Sequence, residues 1–153
     1  MNKQEAITIR RMTESDLDAV VAIEKVSFPS PWLREHFLSE ISAPHSFPFV
    51  AIIDESVAGY VCMISLFEET QILNIAVKAS HRGRGLAKML LEHAMNEAIE
   101  LGADFAALEV RESNLAAISL YEGMGFARTG TRRNYYEGNE DAVLMEKTLQ
   151  GAK

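Results

Sequence analysis

The feature that most constrains this fold lies in the middle of the chain. Leu86, Leu90, Ala94, Ala98 and Leu101 recur at spacings of four and three, the mark of a helix with one apolar face. Gly102 follows as a stop. Residues 71–77 read as a strand in which Leu73, Ile75, Val77, Ile72 and Ala76 are all apolar and only Asn74 interrupts. Such a strand expects cover on both faces. Residues 105–111 read as the next strand. A strand, a long helix and a strand in succession predict a parallel pair joined by a crossover.

The rest of the chain frames that unit. Residues 7–11 read as a first strand. Thr13-Glu14-Ser15-Asp16 resembles a capping box, in front of Leu17, Val20, Val21 and Phe28 at helical spacing. Pro29 and Pro31 interrupt that helix, and a shorter one is predicted over 32–41. Strands are predicted over 49–53 and 57–66, with Asp54-Glu55-Ser56 as the turn between them and Glu68-Glu69 as the turn after. Ser113-Asn114 caps a helix ending at Gly123 or Gly125, and two strands near 126–134 and 142–147 close the chain. The order β-α-α-β-β-β-α-β-α-β-β predicts a mixed α/β fold. At 153 residues it predicts one domain, over 1–148, with a short tail at 149–153.

Composition narrows the function classes. The net charge is −7, which argues against general affinity for nucleic acid or an anionic membrane. No apolar run approaches the roughly 20 residues of a membrane span, and the N-terminus lacks a signal peptide's apolar stretch, so the cytoplasm is expected. Cys62 is the single cysteine, and His36, His45, His81 and His93 are scattered. No disulfide within the chain and no metal site are expected.

The turn between strand and long helix reads Lys78-Ala79-Ser80-His81-Arg82-Gly83-Arg84-Gly85-Leu86-Ala87-Lys88. Glycines there let the backbone approach a ligand, and the unpaired amides of a helix start suit a pyrophosphate. Arg82, Arg84 and Lys88 add mobile positive charge. Taken alone, the turn reads better as a solvated basic bend. It lacks the third glycine of a dinucleotide fingerprint and the Gly-Lys-Ser/Thr ending of a P-loop.

Arg82 to Ala87 resembles the Arg/Gln-x-x-Gly-x-Gly/Ala signature of the GCN5-related N-acetyltransferases (GNAT). Leu73 to Val77 resembles that family's central strand. Leu108 to Asn114 and Ala117 to Phe126 resemble its next conserved block. Arg132-Arg133-Asn134-Tyr135-Tyr136 and Phe28-Pro29-Ser30-Pro31-Trp32 resemble the bacterial branch that acetylates the N-terminal alanine of a small-subunit ribosomal protein. That branch often has Phe-Pro-Trp, whereas here Ser30 stands between two prolines. The resemblance implies a mostly antiparallel sheet whose central parallel pair splays to hold acetyl-coenzyme A, flanked by about four helices. It implies a pyrophosphate held by Arg82, Gly83, Arg84, Gly85, Leu86, Ala87 and Lys88, and a pantetheine arm paired with Ile75, Ala76 and Val77. It also implies direct transfer through a ternary complex, without metal, to a protein or peptide N-terminus.

Two side chains are candidates for the proton transfers. Glu109 lies in an apolar strand and shares a face with Phe105 and Ala107, where apolar neighbours would raise its pKa toward that of a useful base. An exposed Glu, or one paired with Arg111, is an equal reading of the spacing alone. The resemblance makes Glu109 the proton acceptor. Tyr121 lies seven residues after Asn114, two helical turns along one face. It reads first as a core aromatic, and the resemblance makes it the proton donor to the leaving thiolate. Asn114 is a helix N-cap that also has an amide to offer the pantetheine. Trp32 and Tyr135 are candidates for lining a peptide groove. Acetylation of lysine or a small amine, and a non-catalytic coenzyme A sensor, are the rival readings. A sensor would need neither Glu109 nor Tyr121.

Overall fold

The structure is a computed structural model that describes residues 6–149. Its elements are β1 (Ile7–Arg11), α1 (Leu17–Ser27), α2 (Arg34–Ser42), β2 (Ser46–Ile53), β3 (Ser56–Leu66), β4 (Glu69–Val77), α3 (Leu86–Glu100), β5 (Phe105–Arg111), α4 (Leu115–Gly123), β6 (Ala127–Tyr136) and β7 (Glu140–Thr148). That is the order and the mixed α/β class the sequence predicts, with four helices. The strands hydrogen-bond in the order β1-β2-β3-β4-β5-β7-β6, and β4 and β5 form the parallel pair. The chain divides into two compact units. One runs through Ile64 and includes Asn74–Ala94, and the other comprises Ser65–Leu73 and the chain from Met95 on.

In the first unit, the Thr13 N–H donates to Asp16 at 2.8 Å, closing the predicted cap over a short 3-10 turn that leads into α1. The Arg10 guanidinium grips both oxygens of Asp16 and holds its carboxyl below the usual range. Helix α1 ends at Ser27, so Phe28 is extended rather than helical. Helix α2 starts at Arg34, two residues later than predicted. Leu33 is extended and its N–H donates to His36 Nδ1, which caps the helix instead. Trp32 therefore belongs to the loop between the helices. Strand β2 begins three residues early and takes in Pro48. The Pro48 carbonyl accepts from the Met12 N–H just past the last residue of β1. An antiparallel residue turns both backbone groups to one side, so the missing proline donor falls where the β1 ladder has already ended. Gly59 on β3 marks a close approach. A Cβ there would lie 2.8 Å from the Ala76 carbonyl oxygen and 3.2 Å from Leu90.

In the second unit, β4 pairs with β5 from Glu69↔Phe105 to Ile72↔Leu108, where the parallel ladder ends. Strand β5 then pairs antiparallel with β7, and β7 with β6. Burial along β5 alternates: Ala106, Leu108 and Val110 are buried, and Phe105, Ala107, Glu109 and Arg111 share the half-exposed face. The turn before β4 falls at Phe67-Glu68, one residue earlier than predicted, with Phe67 at φ +56°. Strand β6 is exposed almost throughout, as an edge strand dotted with arginines can be. Leu149, the first residue of the expected tail, is 2% exposed, and its N–H donates to the Asp104 carbonyl at 2.9 Å. Residues 150–153 of that tail lie outside the described residues.

Candidate active site

In the first unit, Ala79–His81 form a 3-10 turn and α3 begins at Leu86. Gly83 and Gly85 stand at φ +80° and +77° with open space where a Cβ would point. Their role is conformational, because this left-handed backbone is strained for any other residue. The Gly85 carbonyl accepts from Met89 at 3.1 Å, which makes Gly85 the first cap of the helix. The amides of Leu86, Ala87 and Lys88 are thus first-turn donors with no partner inside the helix. Leu86 buries its side chain in the core and offers only its backbone. Arg82 is not the mobile cation that the sequence suggests. Its Nε donates to the Val77 carbonyl at 3.1 Å and its Nη2 reaches Ser27 Oγ at 3.5 Å, so it ties the turn to the end of β4. Ile75 is half-buried, and Ala76 and Val77 are buried.

The second unit holds Glu109 and Tyr121, the two candidates for the proton transfers. Glu109 on β5 has a side chain 30% exposed, with Arg132 of β6 at 3.2 Å. The Glu109 carboxylate, through hydrogen-bonding interaction and charge, raises the pKa of Tyr135 on β6. The Arg132 guanidinium stacks 5.2 Å from the Tyr135 ring centroid. Glu109 therefore has a cation and a phenol near it in addition to the apolar neighbours Phe105 and Ala107 on its own face of β5. It does not pair with Arg111. That guanidinium grips Glu137 twice at 2.7 Å, meets Glu140 at 3.1 Å and lies 4.3 Å from the Tyr136 ring.

Tyr121 is 5% exposed, and its ring stands edge-on to Phe126 at 5.8 Å. Burial, then the charge of Tyr136, raises its pKa well above that of a free phenol. Burial and the Glu109 charge push Tyr136 up to about 12. Tyr136 thus lies within electrostatic reach of both Glu109 and Tyr121. Asn114 caps α4 through Oδ1, which accepts from the Ala117 N–H at 3.2 Å. Ile118 and Tyr121 follow it on one buried face, as the spacing predicts.

One charged group in the first unit escaped sequence reading. Glu24, on α1, is only 1% exposed. Its carboxylate accepts from Tyr60 Oη, from Asn74 Nδ2 at 2.6 Å and from the Trp32 N–H at 2.9 Å. The signal was available: Glu24 falls four residues after Val20, on the apolar face of α1, where a charge needs partners. Trp32 itself packs on Phe37 at 5.1 Å. Among the described residues no group of three or more His, Cys, Asp or Glu is placed to hold a metal ion.

Comparison with known proteins shows the family. A ribosomal protein bS18-alanine N-acetyltransferase of Salmonella typhimurium is 36% identical over 141 residues, covering 90% of this chain and 95% of that protein. An N-alpha-acetyltransferase of Saccharolobus solfataricus is 31% identical, covering 97% of this chain and 96% of that one. The crystal structure of the ribosomal-protein-S18-alanine N-acetyltransferase from Escherichia coli superposes with a TM-score of 0.88 at 34% identity, covering 97% of both chains. Residues 17–126 match the profile of the Acetyltransferase (GNAT) family, and they contain the glycine turn, Glu109, Asn114 and Tyr121: the chain belongs to that family.

Proposed function

We propose that this chain transfers the acetyl group of acetyl-coenzyme A to the α-amine of an N-terminal alanine, that of ribosomal protein bS18. The observation that carries the reading is the likeness, over 90% of the chain, to enzymes of that specificity. Acetyl-coenzyme A supplies an acyl group already activated as a thioester, and the chain's own residues do the rest. The fit of the glycine turn supports binding of the pyrophosphate. Gly83 and Gly85 leave open space, Leu86 to Lys88 present free amides at a helix start, and Arg82 fixes the turn to β4. The ladder of β4 with β5 ends at Ile72. That supports use of the Ile75–Val77 backbone by the pantetheine arm, with one amide polarising the thioester carbonyl. Asn114 spends its oxygen on the cap and keeps its amide nitrogen for the same arm.

Glu109 takes a proton from the acceptor amine, directly or through a water. An α-amine has a pKa of roughly 7.7–8, against about 10.4 for lysine, so it is the easier group to neutralise at pH 7. Tyr121 is protonated across the neutral range, as any phenol with a pKa of about 10 is, burial raises its pKa further, and it gives that proton to the departing sulfur. Transfer is direct in a ternary complex. Cys62 is fully buried with its thiol pushed up by burial, which suits a core residue and not an acyl carrier. Trp32, in the first unit, and Tyr135, in the second, are each assigned to acceptor binding. Among the described residues no helix is long and apolar enough to cross a membrane. We place the reaction in the cytoplasm, with a protein N-terminus and not nucleic acid as partner.

The test is incubation with acetyl-coenzyme A and peptides that differ in their first residue. Mass spectrometry should find the acetyl group on the α-amine, with alanine preferred. An acetyl group on a lysine side chain would refute the reading.

A further inference from the structure

We propose that Glu24 is a positioning residue for acceptor binding. It fixes the loop that carries Trp32 to β4 beside the residues assigned to the pantetheine arm. The proposal rests on the reading above, in which Trp32 is assigned to acceptor binding.

The argument starts from cost. A carboxylate that is 1% exposed must have its lone pairs satisfied, or it destabilises the fold by more than a packed apolar side chain would. The three donors to Glu24 are all uncharged: a phenol, an amide and a backbone N–H. A side chain needed only to fill the core at this point of α1 would be served better by leucine. What the carboxylate adds is a junction. Tyr60 comes from β3, Asn74 from β4, and Trp32 from the loop between α1 and α2. The ring contacts close a circuit, because Trp32 packs on Phe37 at 5.1 Å and Phe37 stands edge-on to Tyr60 at 5.5 Å. The loop is thereby held at two points, the Trp32 backbone by Glu24 and the Trp32 ring by Phe37. Asn74 directly precedes Ile75 on β4, so one carboxylate holds both the loop and the start of the segment assigned to the pantetheine arm.

Glu24→Gln keeps the volume but sets an NH2 group against a donor, so one bond is replaced by a repulsion. Trp32 is the chain's single tryptophan, so acrylamide quenching of its fluorescence reads the loop without any turnover. The comparison is Ile53→Ala, a core truncation at the end of β2, with each variant measured well below its own melting temperature. For Glu24→Gln we expect quenching raised about twofold, KM for an alanine-ended peptide raised about tenfold, and kcat within about threefold of wild type. Tyr60→Phe removes one donor and keeps the carboxylate. It should move both readouts in the same direction by less, and it replaces Glu24→Gln if that variant does not fold. Quenching and KM no different from those of Ile53→Ala would overturn the proposal. Trp32→Ala keeps the two readings apart. A peptide KM raised by Trp32→Ala but by neither Glu24→Gln nor Tyr60→Phe overturns the role of Glu24 alone. A KM raised by none of the three overturns the acceptor-side reading of the loop, and this proposal with it.

Discussion

Replacing Gly59 by alanine should strain the strand assigned to the cofactor. The new Cβ would stand 2.8 Å from the Ala76 carbonyl oxygen, 3.2 Å from Leu90 Cδ1 and 3.4 Å from Val77 Cα. Leu90 can turn away, but a backbone carbonyl cannot. Ordinary contact begins near 3.4 Å, so β3 and β4 must part by roughly 0.6 Å at this point, a distance that close-packed interiors resist. Overpacking of this kind costs about 1–3 kcal/mol. For a chain of this size each kcal/mol is worth about 2–4 °C in melting temperature, so a fall of roughly 2–12 °C is expected. The second effect falls on the ligand. Acetyl-coenzyme A at about 100 times its dissociation constant stabilises by about 2.7 kcal/mol. A tenfold loss of affinity at the same concentration cuts that to about 1.4 kcal/mol. Thermal melts of both proteins, with and without acetyl-coenzyme A, measure both numbers. A Gly59→Ala protein with wild-type melting temperature and wild-type ligand shift would refute the reasoning. A lower melting temperature with an unchanged ligand shift would keep the strain but detach Ala76 from the cofactor.

Two further outcomes follow from the same structure. Gly85→Glu should abolish the thermal shift with acetyl-coenzyme A, since it forces a side chain onto a φ of +77° and sets a negative charge at the helix start; a full ligand shift in this variant would remove the turn from the binding site. Asp16 has its pKa lowered in the folded state, so its stabilisation is present above the unfolded value of about 3.9 and is lost as pH falls through the lower folded value. Asp16→Asn should therefore cost about 1 kcal/mol at neutral pH through the weakened cap and flatten the acid limb of the stability curve, and an acid limb identical to wild type in urea melts from pH 2 to 7 would contradict this.

The centre of the fold is legible in the sequence because its signals are local. The apolar repeat of α3, Gly102 after it and the continuous apolar run of β4 each follow from neighbours along the chain, and β5 occupies the predicted residues 105–111. What is misread depends on contacts from elsewhere. Pro48 argues against a strand unless it is known that β1 has ended beside it. Trp32 looks like the start of α2 until Leu33 gives its N–H to His36. Glu109 looks apolar in its surroundings because Phe105 and Ala107 are its neighbours along β5, whereas Arg132 and Tyr135 reach it from β6, more than twenty residues on. Glu24 is hidden for the same reason: two of its three donors, Tyr60 and Asn74, lie on strands that no local pattern connects to α1.

The most direct measurement is the pH dependence of turnover in Glu109→Gln and Tyr121→Phe. Glu109→Gln keeps the size of the side chain and loses the carboxylate, so turnover should fall about 10²–10⁴-fold at pH 7. The loss should shrink as pH rises past the amine pKa of roughly 8, where the acceptor is already neutral. Tyr121→Phe keeps the ring and removes only the phenol proton. Its turnover should fall with little change in acetyl-coenzyme A affinity, because the sulfur needs that proton only as the C–S bond breaks. Raising the pH should not restore it. Wild-type turnover in both variants across the pH range would contradict the account, leaving Tyr121 as packing for Phe126 and Glu109 as an ion pair for Arg132.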